Sequence, residues 1–245
     1  MSGSQITTIT FIRYKGARQR WWAFGQMGLA SGLLKDIPGL QFGKMLGSGG
    51  SNGFSVLPNL SVYALLCVWE KESRAQDFFS SHPLFQSYQQ KSAEQWTIFM
   101  RVTMVHGQWD GVEPFQITEQ FDENQLVGVI TRASIRTQHL WGFWRFVPSV
   151  SRSVENREGM LFSIGIGELP IVQQATFSLW ENSKLMKAYA YQSRYHKEVV
   201  KLTRELGWYK EELFARFVPY ATEGSWQGQN PLAAHFSNKV PASNP

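Results

Sequence analysis

The sequence predicts an α+β protein in which two tandem ferredoxin-like repeats close on each other, as the subunits of a dimeric α+β barrel do, but within a single chain. Three observations carry that prediction. First, an ordered series of landmarks recurs. Arg13, Trp22 and Phe24 return as Arg132, Trp141 and Phe143 at an offset of 119, and the GLQF run from Gly39 with Gly47 returns at 120 as the GMLF run from Gly159 with Gly167. Trp69 and Glu70 match Trp180 and Glu181 at 111, Trp96 matches Trp208 at 112, and Trp109 matches Trp226 at 117. An ordered series of this kind is the mark of duplication. Second, apolar periodicity in each half reads strand, helix, strand, strand, helix, strand. Third, a sheet with helices on one face needs cover for its other face, and a second copy supplies it.

Taken in order, Ile6–Tyr14 alternates Ile and Thr as a strand does, and Arg18–Leu34 is helix-like until Pro38 and Gly39. Leu40–Leu46 is the second strand, followed by a loop from Gly47 to Gly53 that extends through Pro58. Ser61–Trp69 is a strongly apolar strand. Ser73–Gln95 carries helical segments broken near His82 and Pro83, and Gln95–Val105 is the fourth strand. This first half spans residues 5–115, and the polar, proline-containing stretch Glu113–Asn124 is the connector. The second half, 125–226, repeats the plan. Thr176–Trp180 is a strand there, Asn182 or Ser183 caps a helix running to about Leu206, Gly207 stops it, and Glu211–Tyr220 returns as a strand. Residues 227–245, rich in Asn, Pro and Ser, read as an irregular tail.

Composition bounds the function. With 43% hydrophobic and 18% charged residues the chain can bury a large core, and 14% aromatics suit flat apolar ligands as well as core filling. The net charge of +5 is scattered without a basic run, which argues against nucleic acid and is compatible with anionic lipid or an acidic electron-transfer partner. A single Cys67 excludes an internal disulfide, a Cys-based zinc finger and a four-thiolate iron–sulfur cluster within the chain. The start shows no signal-peptide pattern and no segment is long and apolar enough to span a bilayer, so the expected location is the cytoplasm, with contact at the inner face of the membrane.

Among the five histidines no pair has metallohydrolase spacing. His196 lies in the long predicted helix, in a stripe with Leu185, Tyr189, Val199, Val200 and Thr203, where burial disfavours its charged form. A neutral helix imidazole suits an axial haem ligand; a satisfied core histidine is the competing reading. The first half has no equivalent histidine. The Gly-rich loop lacks dinucleotide phasing, and no G-x-S-x-G elbow is present. Arg132 and Arg216 interrupt apolar strands, and an inward arginine needs an anion such as a haem propionate or iron-bound oxygen; surface placement is the competing reading. Arg13 and Arg145 are weaker candidates of the same kind.

The runs GIGELPIVQQATFSLWENSKLMKAYAY, YHKEVV and GWYKEELFARF, with WWAFGQMGLA, IPGLQFGKMLGSG and GFSVLPN in the first half, closely resemble the spheroidene monooxygenase family of carotenoid biosynthesis. The resemblance runs roughly from Thr7 to Trp226. It implies a haem b enzyme that uses O2 and a ferredoxin-type donor to place a keto group on an acyclic carotenoid through successive hydroxylations at one carbon. By analogy with other α+β-barrel haem proteins, His196 becomes the iron ligand and Arg132 or Arg216 lies near the distal side or a propionate. Phe143, Trp144 and Phe162 then line the pocket. Two other readings stand beside it: a haem-binding protein without oxygenase activity, and a cofactor-free barrel for apolar small molecules. A Soret band with added haemin separates the last from the others, and turnover separates the first two.

Overall fold

The computed structural model describes residues 4–50, 57–141, 158–169, 172–192 and 207–236. Strand β1 (Ile6–Arg13) is buried along nearly its whole length, because one face meets the barrel interior and the other a helix layer. Helix α1 (Ala17–Leu33) starts at Gly16, whose φ of 83° no other residue type adopts readily. Strands β2 (Leu40–Gly49) and β3 (Pro58–Trp69) follow. The helical stretch after them is broken where the sequence predicts it, into α2 (Glu72–Ser81) and α3 (Pro83–Lys91). Pro83 occupies the first helical position, where no donor is missed, and His82 Nδ1 accepts the Leu84 amide at 3.3 Å as an N-cap. Strand β4 (Glu94–Gly107) is followed by β5 (Val127–Ile135), β6 (Met160–Leu169) and β7 (Gln173–Trp180). Helix α4 (Ser183–Gln192) comes next, with Asn182 Oδ1 accepting the Leu185 amide at 3.0 Å, and then β8 (Tyr209–Gly224) and a single turn, α5 (Ala233–Phe236).

Among the described residues eight antiparallel strands close into a barrel in the order β1-β3-β2-β6-β7-β5-β8-β4. The first four strands therefore lie as β4-β1-β3-β2 and the last four as β8-β5-β7-β6, fourth, first, third, second in both cases. The two sets meet along two seams. One is long, from Trp96 opposite Gly224 to Gly107 opposite Leu213. The other is short and pairs Gly47 with Gly167 and Ser48 with Ile166. The glycines matched at an offset of 120 thus face each other directly. An added Cβ at Gly167 would run into the Gln173 carbonyl. Residues 47–49, expected in a loop, belong to β2 because Gly47 and Ser48 pair with β6 and Ser48 and Gly49 pair with β3.

Alternate residues of every strand point inward and form one apolar core, with Phe11, Leu66, Trp96, Ile130, Phe177 and Phe217 wholly buried. The polar connector contributes to it: Phe115 inserts against Phe217 at 5.2 Å. So does the predicted tail, through buried Leu232. The outer face of β1 to β4 is sealed by α1, α2 and α3 in a second cluster containing Tyr14, Ala23, Leu65, Trp69, Phe78 and Tyr88. Cys67 is fully buried there and burial pushes its thiol up, which fits a structural residue. The expected helix beyond Gln192, including His196, lies outside the described residues. Among those described, no helix is long and apolar enough to cross a membrane.

Candidate functional site

The strands β5 to β8 turn a different kind of surface outward from that of β1 to β4. Register places Phe214, Thr131, Thr176 and Gly165 side by side across four strands, and Arg216, Val129, Ser178 and Ser163 in the next row. Helix α4 covers one end of this face, where Met186 packs with Val127, Val129 and Trp180 and the Tyr189 ring stacks on Trp180 at 5.3 Å. Trp180 Nε1 donates to Ser178 Oγ at 2.9 Å. Beyond α4, Thr131 is exposed although it lies in the middle of a strand. Thr8 and Thr10, in outward positions of β1, are completely buried under helices. A row of Thr, Thr and Gly presents little side-chain bulk, so the sheet offers a flat floor. Phe214 bounds it, with the Arg216 guanidinium 5.3 Å from the Phe214 ring. A flat floor with hydroxyls, an aromatic wall and a guanidinium suits a planar, largely apolar molecule with an anionic substituent.

A second cluster of functional groups lies inside the barrel at one mouth. Arg132 on β5 points inward and is 1% exposed. Its guanidinium donates to Glu211 Oε1 and, at 2.8 Å, to Asp110 Oδ1; Glu168 Oε1 lies 3.6 Å away. Lys44 from β2 bridges Asp110 and Glu168, the latter at 2.6 Å. Trp109 Nε1 donates to Glu168 at 2.6 Å, and Arg132 stacks over the Trp109 ring at 5.2 Å. Burial opposes ionisation of Asp110, but the hydrogen bond and charge of Lys44, with Arg132, outweigh it and hold the carboxyl below its usual range. Burial likewise opposes ionisation of Glu211, and the Gly111 and Asp110 amides together with Arg132 prevail. Lys44 is held above the usual lysine value by Asp110 and Glu168 against the effect of burial.

This cluster has a simpler counterpart at the other mouth. There Glu94 accepts the Gly228 amide at 2.7 Å and the Ser225 hydroxyl at 3.1 Å, Arg13 lies 3.5 Å from Glu94, and Arg13 stacks over Trp226 at 4.4 Å. Each mouth is therefore latched by a W-x-G turn that follows β4 or β8 and by an Arg and a Glu from the other four strands. Lys44, Asp110 and Glu168 have no such counterparts, since Gln227 stands where Asp110 does. Trp208, matched to Trp96 from the sequence, lies instead just ahead of β8, while Trp96 is inside the barrel.

Of the residues singled out from the sequence, Arg132 and Arg216 lie on opposite faces of the sheet and are not brought together. Arg132 finds its anions in carboxylates of the chain. Phe162 packs in the interior, 5.0 Å from both Phe11 and Trp96, beneath the floor rather than on it. His196, Phe143 and Trp144 lie outside the described residues. Sequence reasoning missed Thr131, Ser163, Thr176 and Ser178, which carry no signal until strand register aligns them. It also missed Lys44, Asp110, Glu168 and Glu211; the signal available was a charge at inward parity in FGKML and GIGEL, beside the duplicated Trp109.

The chain matches no protein-family model. It is 35% identical over 232 residues to the spheroidene monooxygenase of Rhodobacter capsulatus, spanning 94% of this chain and 96% of that protein. It is 33% identical to the spheroidene monooxygenase of Cereibacter sphaeroides over 93% of this chain and 71% of that one, and 31% identical to that of Rubrivivax gelatinosus over 93% and 87%. Among solved structures, an aldoxime dehydratase in complex with butyraldoxime superposes with a TM-score of 0.62 at 9% identity, covering 90% of this chain and 82% of that one. Another aldoxime dehydratase gives 0.59 at 10% identity over 88% and 81%. These two likenesses show a shared fold. The sequence relationship is of another order, extending at 31–35% identity over 93–94% of the chain. The chain is an oxidoreductase that belongs to the spheroidene monooxygenase family.

Proposed function

We propose that the protein inserts a keto group into an acyclic carotenoid, using O2, a ferredoxin-type electron donor and haem b bound against the outer face of β5 to β8. Kinship over 93–94% of this chain with three spheroidene monooxygenases is the observation that carries the substrate class. The floor supports the cofactor. Thr131, Thr176, Gly165, Ser163 and Ser178 put only small side chains on the outer face of a sheet that Phe162 and Phe177 support from within, and Arg216 supplies a cation at its edge. That donor set fits a planar macrocycle with propionates. Arg132, satisfied inside the barrel, passes out of the proposal; Arg216 would meet a propionate in its stead, and His196 would ligate the iron. In this proposal Phe143 and Trp144 would complete the aromatic lining.

When bound, haem iron supplies O2 activation and oxygen-atom transfer. In this reading the chain's own residues do the rest. The His196 imidazole would hold the iron. Arg216 offsets anionic charge, and the hydroxyls of Thr131 and Thr176 orient polar atoms above the floor. The apolar wall keeps bulk water from the polyene. Two hydroxylations of one carbon followed by loss of water give the ketone.

We also infer that the barrel consists of two ferredoxin-like units, 5–115 and 125–226. Supporting this are the identical strand order, the facing Gly47 and Gly167, and the reciprocal latches. A chain bulge also recurs after Gly39 and after Gly159, whose carbonyls accept the Glu70 and Glu181 amides at 2.9 and 2.8 Å.

The test is absorption spectroscopy of purified protein titrated with haemin. Wild type is expected to give a sharp Soret band, His196→Ala to lose it, and Arg216→Ala to bind about tenfold or more weakly through loss of a charge-assisted contact. An unchanged band in His196→Ala sinks the ligand assignment, and no band in wild type removes the cofactor. Turnover of an acyclic carotenoid with reduced ferredoxin then decides between an oxygenase and a haem-binding protein.

A further inference from the structure

Helix α1 is apolar on both faces. Ala23 and Ala30, with Leu34 just beyond, turn toward the barrel and are buried. At 100° per residue the opposite side is centred on Trp21, Gly25, Gly28 and Gly32, flanked by Phe24, Leu29 and Leu33. Those four large side chains are 64%, 51%, 58% and 41% exposed, respectively for Trp21, Phe24, Leu29 and Leu33. Trp21 and Phe24 meet edge to face at 6.1 Å. An added Cβ at Gly25, Gly28 or Gly32 would meet nothing within 4 Å, so the face is open and the large side chains stand proud of it. A surface helix ordinarily carries polar residues on its outer side, and a continuous apolar face there marks a docking surface.

Charge says what docks. From Arg13 to Lys35 the chain has no acidic residue, and Lys15, Arg18, Arg20 and Lys35 are all exposed at the two ends of the apolar face. Among the described residues none of these four forms an ion pair. We propose that α1 lies in the plane of an anionic lipid surface, with Trp21, Phe24, Leu29 and Leu33 sunk below the headgroups and the four cations against lipid phosphates. Trp and Phe favour the headgroup boundary, and Lys and Arg reach back from it to the anionic layer. A second copy on this face would set the same cations against each other. The docking rests on this helix face; only its purpose, access to a membrane-dissolved substrate, rests on the proposed function.

The test is cosedimentation of the full chain with vesicles of phosphatidylcholine, alone or mixed with phosphatidylglycerol. Neither carotenoid nor cofactor is added, so the outcome does not depend on the catalytic reading. Wild type is expected to pellet with the mixed vesicles, more weakly with the neutral ones, and less in high salt. Trp21→Ser/Phe24→Ser and Arg18→Gln/Arg20→Gln are each expected to lose about tenfold or more in partitioning. Because these side chains are exposed, circular dichroism and melting temperature should stay at wild-type values, and Leu29→Ser/Leu33→Ser provides an independent variant should the first pair misfold. No pelleting of wild type overturns the proposal, as does equal binding by well-folded variants. A wild-type dimer in light scattering that Trp21→Ser/Phe24→Ser makes monomeric also overturns it, in favour of a self-interface.

Discussion

A guanidinium at 1% exposure persists only where anions replace its water, and Arg132 has Glu211, Asp110 and Glu168 around it. Replacing it with Met would leave Asp110 and Glu168 with Lys44 as their one cation and Glu211 with the Asp110 and Gly111 amides, and we expect a loss of about 3–5 kcal/mol in urea unfolding. The pH dependence follows from the direction of the shifts. Asp110 and Glu211 are both held low in the folded protein, so their contribution is complete above the unfolded carboxylate range near about pH 4 and disappears as pH falls through the lower folded values. Wild type should therefore lose melting temperature on acidification from about pH 5 to about pH 2, and Arg132→Met should lose somewhat less over the same interval, because it lacks the Arg132 share while Lys44 and the Gly111 and Asp110 amides still hold the two carboxyls low. Equal slopes in circular dichroism melts would show that Arg132 takes no part in holding these carboxyls low. An arginine breaking an apolar strand was visible in the sequence at both 132 and 216. Which one meets the chain's own carboxylates was not, since strand parity and the partner strands decide it.

The W-x-G turns are the elements that hold the barrel mouths. Each begins with a glycine at positive φ, Gly107 at 87° and Gly224 at 83°, and an added Cβ would strike the carbonyl of Glu212 or of Gln95 on the neighbouring strand. Gly107→Ala and Gly224→Ala are each expected to cost about 1–3 kcal/mol or more through backbone strain at these positions. Gly28→Ala, in the helical α1 with open space around it, should instead stabilise by about 0.5–1 kcal/mol. Urea midpoints for the three variants check both signs together. The tryptophans of the turns were legible as a duplicated pair, and the break at His82 and Pro83 was legible from proline chemistry. The extension of β2 through Gly49 was not, because a glycine-rich run reads as a loop until the facing strand β6 is known.

At the scale of the molecule, each set of four strands hides its inner face against the other. Phe11 and Trp96 from one set meet Phe162 and Phe177 from the other in one cluster, and each latch takes its turn from one set and its Arg and Glu from the other. Fragments 5–115 and 125–226 expressed separately are therefore expected to aggregate or self-associate, and to regain a cooperative melt when refolded together. A fragment that stays a folded monomer in gel filtration would show that the sets are independent units.

The chain's sequence by itself determined the order of the strands, the helices of the first half, the landmarks that recur at offsets of 111–120, the structural role of Cys67 and the family. These follow from local periodicity, turn chemistry and long runs of residue identity, all of which can be read along a line. Tertiary structure decided which face each residue occupies. It sent Arg132 inward and Arg216 outward, lined up Thr131 with Thr176 and Gly165, and left Trp21 and Phe24 in the open. A strand changes face with every residue and gains its neighbours from distant segments, so the pairing of β5 with β7 and β8 had to exist before any floor, latch or docking face did.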